Sequence, residues 1–504
     1  MSQLCRAPTS ADFANLPKVK SSGPAAHSVK PAAFPSTTLH SENAGNSNVD
    51  AASPNEDVAS GQSETAIAAK GQYVVNAFND LSGLLQDNTT PAGSATGVAF
   101  SSNYGQTFTD LVGLPNSDPN QRWFGDPSVV AYKPAGTTYF YIGSIYNPIG
   151  SALTGGCDIA LSVGTVTGST LALGDPVVVA SNPFFGTCAL LDKPFEAIDP
   201  VNKRLIFTYT NFNSQFGEID LAVCDISSTP AAPVCLPGTA GSTYQVVDPG
   251  DASESRTGSY PAVNTATGDV YVAYEKNYAT NILNGDPFTH ELLAMVSASC
   301  LTGVPCAAPT PVTLGSPVKS LDSVVIAGYS RGPGNDFPRI AVNPTTSKVV
   351  VVWNEGNNHP LGDIVKVDCN FALTSCGSKL RVNSDTQDDD LSNLNGSLAS
   401  FALHFLPAVS VDAQGYTNIS WYDRRVGQGT TRTDVFAASI PPSGSAEDNI
   451  RVTTISTDWL ATSSGISPNF GDYTDNTSDG THFYVTWSDG RIGVPQPFVA
   501  RLQN

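Results

Sequence analysis

Eight of the chain's 25 basic residues, Arg122, Lys193, Lys276, Arg331, Arg339, Arg424, Arg425 and Arg491, fall just outside short apolar runs. They share those segments with Asp126, Tyr260, Glu275, Asp472 and Tyr473. Such a set offers two kinds of chemistry. Planar guanidinium groups fit the paired oxygens of a carboxylate or sulfate, and carboxyls in different surroundings can give and take protons. With 45 acidic against 25 basic residues the net charge is −20, so basic groups gathered in one place form a local reversal of charge. The same net charge repels phosphate backbones and anionic membranes, and nucleic acid is not an expected partner. The competing structural reading is that carboxylates at strand ends accept backbone hydrogen bonds and that Arg next to Asp, as in Asp423-Arg424, forms an internal ion pair.

What would bring these residues together is a repeat. Seven apolar runs start near Ser63, Asp126, Lys193, Tyr260, Phe337, Leu406 and Phe470, and each has a second run closing on an aromatic: Phe78, Tyr146, Tyr209, Tyr274, Trp353, Trp421 or Trp487. The period is about 68 residues. A third run follows each pair, as in Gly97-Val98-Ala99-Phe100 or Asp434-Val435-Phe436-Ala437. Short β-branched and aromatic runs separated by Gly, Pro, Asn and Asp are strands, and 44 Gly with 36 Pro supply the turns. One such sheet cannot bury both faces, whereas seven placed radially cover one another. The fold expected is therefore all-β, a seven-bladed propeller with blades of three to four antiparallel strands. The last unit stops after its third strand, so an N-terminal strand is expected to close the ring. Residues 1–55, rich in Ser, Ala, Pro and Asn, are expected to form a flexible arm containing that strand, and residues 56–504 a single propeller domain.

In a blade whose innermost strand is the first run, the segments leading into that strand and those joining the second strand to the third lie on one face, around the central channel. All the residues named above fall there. The nine cysteines form four local pairs plus Cys5: Cys157 with Cys188, Cys224 with Cys235, Cys300 with Cys306, and Cys369 with Cys376. These are expected to be hairpin disulfides, because the pairs lie on different blades and lack zinc-ligand spacing. Disulfides imply an oxidising compartment, so a secreted or cell-surface (or periplasmic) protein is expected, although no signal-peptide pattern is visible before Phe34. No apolar stretch reaches the length of a membrane span.

The segment Ser101-Ser102-Asn103-Tyr104-Gly105-Gln106-Thr107-Phe108, placed directly after a third strand, resembles the Asp-box of the BNR-repeat, sialidase-like β-propellers, with Asn103 and Phe108 as departures. Gly125-Asp126-Pro127, Trp421-Tyr422-Asp423-Arg424-Arg425 and Trp487-Ser488-Asp489-Gly490-Arg491 add to a resemblance to bacterial secreted sialidase-like proteins that covers about residues 60 to 502. Catalytic members of that family are six-bladed, which is the alternative count. The resemblance implies a propeller acting on acidic glycans, an exo-glycosidase with a Tyr nucleophile activated by Glu. Tyr260 with Glu275 would be that pair and Asp126 the acid. Arg339, Arg424, Arg425, Arg491, Lys193, Asp472 and Tyr473 would bind substrate. A polysaccharide lyase using His404 and Tyr473 against a uronate, and a non-catalytic glycan- or protein-binding propeller, are the alternatives. A glycan ligand and a monomer are expected. No metal or other cofactor is expected, apart from a structural calcium as the alternative use of Asp385, Asp388, Asp389 and Asp390, whose spacing lacks the Gly and terminal Glu of an EF-hand. Sequons occur at Asn88, Asn395, Asn418 and Asn476.

Overall fold

The structure is a computed structural model that describes residues 40–41, 47–48 and 61–503, except 82–92, 149–156, 183–190, 213–216, 237–244, 251–253, 277–287, 303–305, 320–327, 329–335, 358–361, 386–402, 427–431, 445–448 and 467–468. Seven antiparallel sheets are arranged as the blades of a propeller. Their innermost strands are Gln62–Lys70, Ser128–Tyr132, Leu191–Asp199, Arg256–Val263, Arg339–Asn343, His404–Val411 and Asp475–Ser478, for blades 1 to 7 in turn. Each innermost strand neighbours the next around the channel, and blade 7 returns to blade 1.

The hydrophobic core is correspondingly divided. Seven clusters of buried side chains can be distinguished among the described residues, and each draws on two adjacent blades. The aromatic near the end of every second strand is the large member: Phe78, Tyr146, Tyr209, Tyr274, Trp353, Trp421 and Trp487 are at most 2% exposed. A buried Tyr or Trp must satisfy its polar tip, and here a nearby side chain does so repeatedly. The indoles of Trp353, Trp421 and Trp487 donate to Glu355, Asp423 and Asp489, two residues on, at 3.0, 2.8 and 2.7 Å. The Tyr274 hydroxyl donates to Asp248 at 2.8 Å.

The ring closes as the sequence implies. The third strand of blade 7, Gln496–Gln503, pairs on its outer side with His40–Ser41 and Ser47–Asn48, in the register His40 to Gln503 and Ser47 to Val499. Both segments lie within residues 1–55.

The turn after Ser101 is held by its own side chains. Asn103 Oδ1 accepts hydrogen bonds from Ser101 Oγ at 2.8 Å and from the Thr107 N–H at 3.0 Å, and Asn103 Nδ2 donates to Thr107 Oγ1 at 2.9 Å. The same exchange recurs between Asn370 and Thr374, at 2.9 Å in both directions. That second turn lies inside the Cys369–Cys376 disulfide, so in blade 5 the disulfide accompanies the side-chain turn instead of replacing it. Cys224–Cys235 and Cys300–Cys306 are bonded as expected. Cys5, Cys188, Arg331, Asp388, Asp389, Asp390, Asn88 and Asn395 lie outside the described residues, and the expected Cys157–Cys188 bridge therefore does too.

Candidate functional site

Where the chain enters its innermost strands, the ladder to the second strand is interrupted. The register shifts between Ser63 and Ala66, Asp192 and Phe195, Thr257 and Tyr260, and Phe405 and Ala408. These are bulges, which bend a strand and re-aim its side chains. At this point of the repeat the backbone is left-handed: φ is 52° at Glu64, 54° at Asp126, 53° at Lys193 and 49° at Leu406, with Gly258 and Gly471 taking 65° and 82°. Glycine adopts this conformation freely, whereas a side chain there costs on the order of 1–2 kcal/mol. Blades 1 to 3 carry this strain under Glu64, Asp126 and Lys193, which converge.

Lys193 Nζ lies 2.7 Å from Asp472 Oδ2, 3.1 Å from Asp126 Oδ2 and 3.4 Å from Glu64 Oε1. Its side chain is buried, as are those of Glu64 and Asp472, while Asp126 keeps slight exposure. Gly471 permits the approach of blade 7, since a Cβ there would fall 2.4 Å from the Glu64 nitrogen. The Asp472 N–H then donates to Glu64 Oε1 at 3.1 Å.

The protonation pattern follows from these surroundings. Burial, and next to it the charge of Asp126, raise Glu64 well above the ordinary carboxyl range against the lowering effect of Lys193. Burial also works against a charge on Asp126, but the Lys193 ammonium and the hydrogen bond with Glu64 outweigh it and hold Asp126 below its usual value. For Lys193 burial is likewise opposed and outweighed, by Asp126, Asp472 and Glu64, and the amine stays charged. The site thus brings a carboxyl that resists ionisation into hydrogen bond with one that favours it, beside an ammonium.

Two residues further along the strands lies a second layer. The Arg339 guanidinium stacks 4.0 Å from the Tyr260 ring, 5.0 Å from Phe195 and 5.8 Å from Tyr473, and Nη2 pairs with Asp475 Oδ1 at 3.1 Å. The Tyr260 hydroxyl donates to the same Asp475 oxygen at 3.4 Å, and the Tyr473 hydroxyl donates to the Pro127 carbonyl at 2.9 Å. Burial raises both phenols, so neither is a ready nucleophile or base.

Of the residues expected from the sequence, Asp126, Lys193, Asp472, Tyr473, Arg339 and Tyr260 are therefore brought together. Glu275 is not joined to Tyr260, whose hydroxyl is engaged by Asp475; Glu275 is fully buried on the second strand of blade 4, opposite Thr257 and Glu291. Arg425 and Arg491 do not join this group either. Each is bound by the carboxylate that accepts its blade's Trp indole, Asp423 at 2.7 Å and Asp489 at 2.6 Å, and stacks on the aromatic opposite that Trp, Phe436 or Phe498. This is one ion-pair arrangement used twice. Arg424 is fully buried, donates to the Arg432 carbonyl and is depressed by burial to about 10.

His404 is held between two carboxylates. Nε2 is 3.3 Å from both Asp385 and Asp423, and Nδ1 meets the Gly362 carbonyl at 2.7 Å. Burial opposes its charge, but Asp423 and Asp385 outweigh it and raise the imidazole. Both ring nitrogens of His404 are thus turned toward oxygens of the protein itself. Asp385 is correspondingly engaged by His404, Arg425 and Asn383.

Glu64 and Asn79, which the sequence places on the same rim without assigning them a catalytic or binding role, belong to the site, as do Phe195 and Asp475, which it did not mark. One signal was present for Glu64: a repeat position occupied by Gly in blades 4 and 7 and by charged residues in blades 1 to 3 marks a positive φ.

The chain matches no protein-family model and no curated protein sequence. Among solved structures it is similar to the Hadza microbial sialidase Hz136, at 10% identity over 78% of this chain and 66% of that one, with a TM-score of 0.41. It is also similar to Trypanosoma rangeli sialidase, at 12% identity over 92% and 58%, TM-score 0.38. The α-L-arabinofuranosidase Arb93A from Fusarium graminearum shares 11% identity over 91% and 97%, TM-score 0.42. The chain spans less than two thirds of the length of either sialidase. No residue role passes from these proteins to this one. Among the described residues no helix is long and apolar enough to cross a membrane.

Proposed function

We propose that this propeller acts on glycans, hydrolysing a glycosidic bond at the channel mouth with Glu64 as proton donor. The observation that carries the reading is the convergence of Glu64, Asp126 and Asp472 on Lys193, with Glu64, Asp126 and Lys193 on strained left-handed backbone and Glu64 raised while Asp126 is lowered. Glycoside hydrolysis needs one carboxyl that donates to the leaving oxygen and one carboxylate on the other side of the sugar, about 5–5.5 Å away for retention. Glu64 and Asp126 are too close to be that pair. Glu64 and Asp472 flank one ammonium at 3.4 and 2.7 Å, so these oxygens are at most about 6 Å apart, a bound that admits the retaining separation, and Asp472 is the carboxylate proposed for that role. Glu64 then gives its proton to the leaving oxygen and takes one back from the attacking water, and Asp126, hydrogen-bonded to Glu64, favours its protonated form between the two steps. The disulfides agree with action in an oxidising compartment, as a secreted or surface protein.

A second reading, a non-catalytic glycan-binding propeller, is favoured by Arg339, Arg425 and Arg491 each being tied to a carboxylate. The test is turnover of a panel of aryl sialosides, arabinofuranosides and uronides, with reducing-sugar release and 232 nm absorbance on acidic polysaccharides. Hydrolysis that Glu64→Gln lowers at least about 100-fold in kcat supports the first reading. Binding without turnover supports the second, and a rise at 232 nm would overturn both in favour of elimination.

A further inference from the structure

We infer that Asn79 is the positioning residue of this site, holding Glu64 of blade 1 and Asp126 of blade 2 as one proton-sharing pair. The inference rests on the reading of Glu64 as the acid, and it begins from a constraint on the amide. The backbone N–H of Asp126 can only donate, and it meets Asn79 Oδ1 at 2.7 Å. The orientation of the amide is thereby fixed, and Nδ2 must donate to Glu64 Oε2, which it does at 2.9 Å. One side chain therefore ties the Glu64 carboxyl to the backbone of the residue whose carboxylate shares its proton. Close approach is arranged for: Gly125 has φ 94°, and a Cβ there would fall 2.5 Å from Asn79 Oδ1.

The same bridge occurs between blades 5 and 6, where it has no such pair to hold. Asn354 Nδ2 donates to Asp336 Oδ1 and Asn354 Oδ1 accepts from the Leu406 N–H at 3.1 Å. There the far end is an apolar residue, so the bridge serves only to join the blades. Between blades 1 and 2 both bridged residues titrate. The groups facing Glu64 are Asp126 from blade 2, Lys193 from blade 3 and Asp472 from blade 7, with Asp192 beside Asp126 and Lys193. Asn79 is the neutral donor among them. An N–H bonded to a carboxyl favours its ionised form, so Asn79 restrains how far burial and Asp126 raise Glu64 and keeps the proton transferable.

The test reads the Glu64 carboxyl directly, by its infrared C=O band, assigned by its loss in Glu64→Gln and followed across pH without any substrate. In Asn79→Ala and Asn79→Asp the band should persist to a pH higher by about one unit. Acidification should return the band of Asn79→Asp to its wild-type position, because the introduced carboxyl, once protonated, can donate an O–H to Glu64 Oε2; Asn79→Ala cannot recover this way. Asn354→Ala should lower the melting temperature and leave the Glu64 band where it is. If Asn79→Ala does not fold, the pH dependence of Asn79→Asp alone decides. An unmoved Glu64 titration in the Asn79 variants, or an equal shift in Asn354→Ala, would overturn the inference. Because the band needs no turnover, a wild-type protein inactive on every glycan would count against the hydrolase reading while leaving this result to be read separately.

Discussion

Arg339→Met should destabilise the protein by about 3–5 kcal/mol at pH 8, the usual cost of removing one partner from a buried ion pair. The side chains of Arg339 and Asp475 are only 4% and 9% exposed, and they meet at 3.1 Å. Methionine keeps much of the volume between Tyr260, Phe195 and Tyr473 but loses the guanidinium above those rings, worth about a further 1 kcal/mol. The larger loss is the Asp475 charge left without its cation. Burial already raises Asp475, and Arg339 is what lowers it, so the substitution raises it further. A carboxyl raised in the folded state favours its neutral form there. The variant should therefore approach wild type in acid and fall behind as pH rises through the raised value. Asp475→Asn on top of Arg339→Met should recover most of the loss, because the amide can still accept from the Ile67 N–H that now meets Asp475 at 3.1 Å. Urea midpoints followed by tryptophan fluorescence at pH 5 and pH 8 measure this. Equal midpoints for wild type and Arg339→Met at pH 8, or a double variant no better than the single one, would refute the argument.

Two further outcomes are expected. His404 is raised by Asp423 and Asp385 against the opposing effect of burial, so its contribution is present in full below about pH 6.5 and is lost as pH rises through its raised value; unfolding midpoints of wild type should decline over that window while those of His404→Gln stay flatter, and parallel curves would reject the charged imidazole. Removing residues 1–55 strips the outer pairing from Gln496–Gln503, a few hydrogen bonds worth about 1 kcal/mol each, and should lower the melting temperature by a few degrees, an unchanged value rejecting closure by this segment.

The architecture was legible because it is written in periodic runs: the aromatic closing each second strand recurs at one phase, and the structure buries all seven. The missing last strand was legible for the same reason. Much of the site was not. Position in the repeat placed Asp126, Lys193, Asp472, Arg339 and Tyr260 on one face, but it could not say how far each side chain reaches or in which layer it ends. Arg425 and Arg491 occupy the expected segments, yet their partners are two residues away on their own strands, a local bond that outcompetes any distant one. Glu275 follows Tyr274 at a strand end, where alternation decides its face, and Tyr260 reaches across the channel to Asp475. The position of Glu64 on the rim was legible but its role was hidden by the bulge itself, which shifts register and turns its side chain toward blades 3 and 7.

The joint between residues 40–48 and 496–503 also has a consequence in time. During synthesis the first strand segments of the ring emerge long before their partner exists, and they must wait while six blade interfaces form from contacts closer along the chain. Closing so long a loop costs little extra free energy, since the entropy grows only with the logarithm of length. The delay is the larger matter. Until Gln496–Gln503 arrives, the side of blade 1 that packs Ile67, Val74 and Phe78 against Tyr484 and Val499 is uncovered. That surface is the one on which nascent copies would associate with each other, so the hazard of aggregation for this protein is concentrated before its last strand is made.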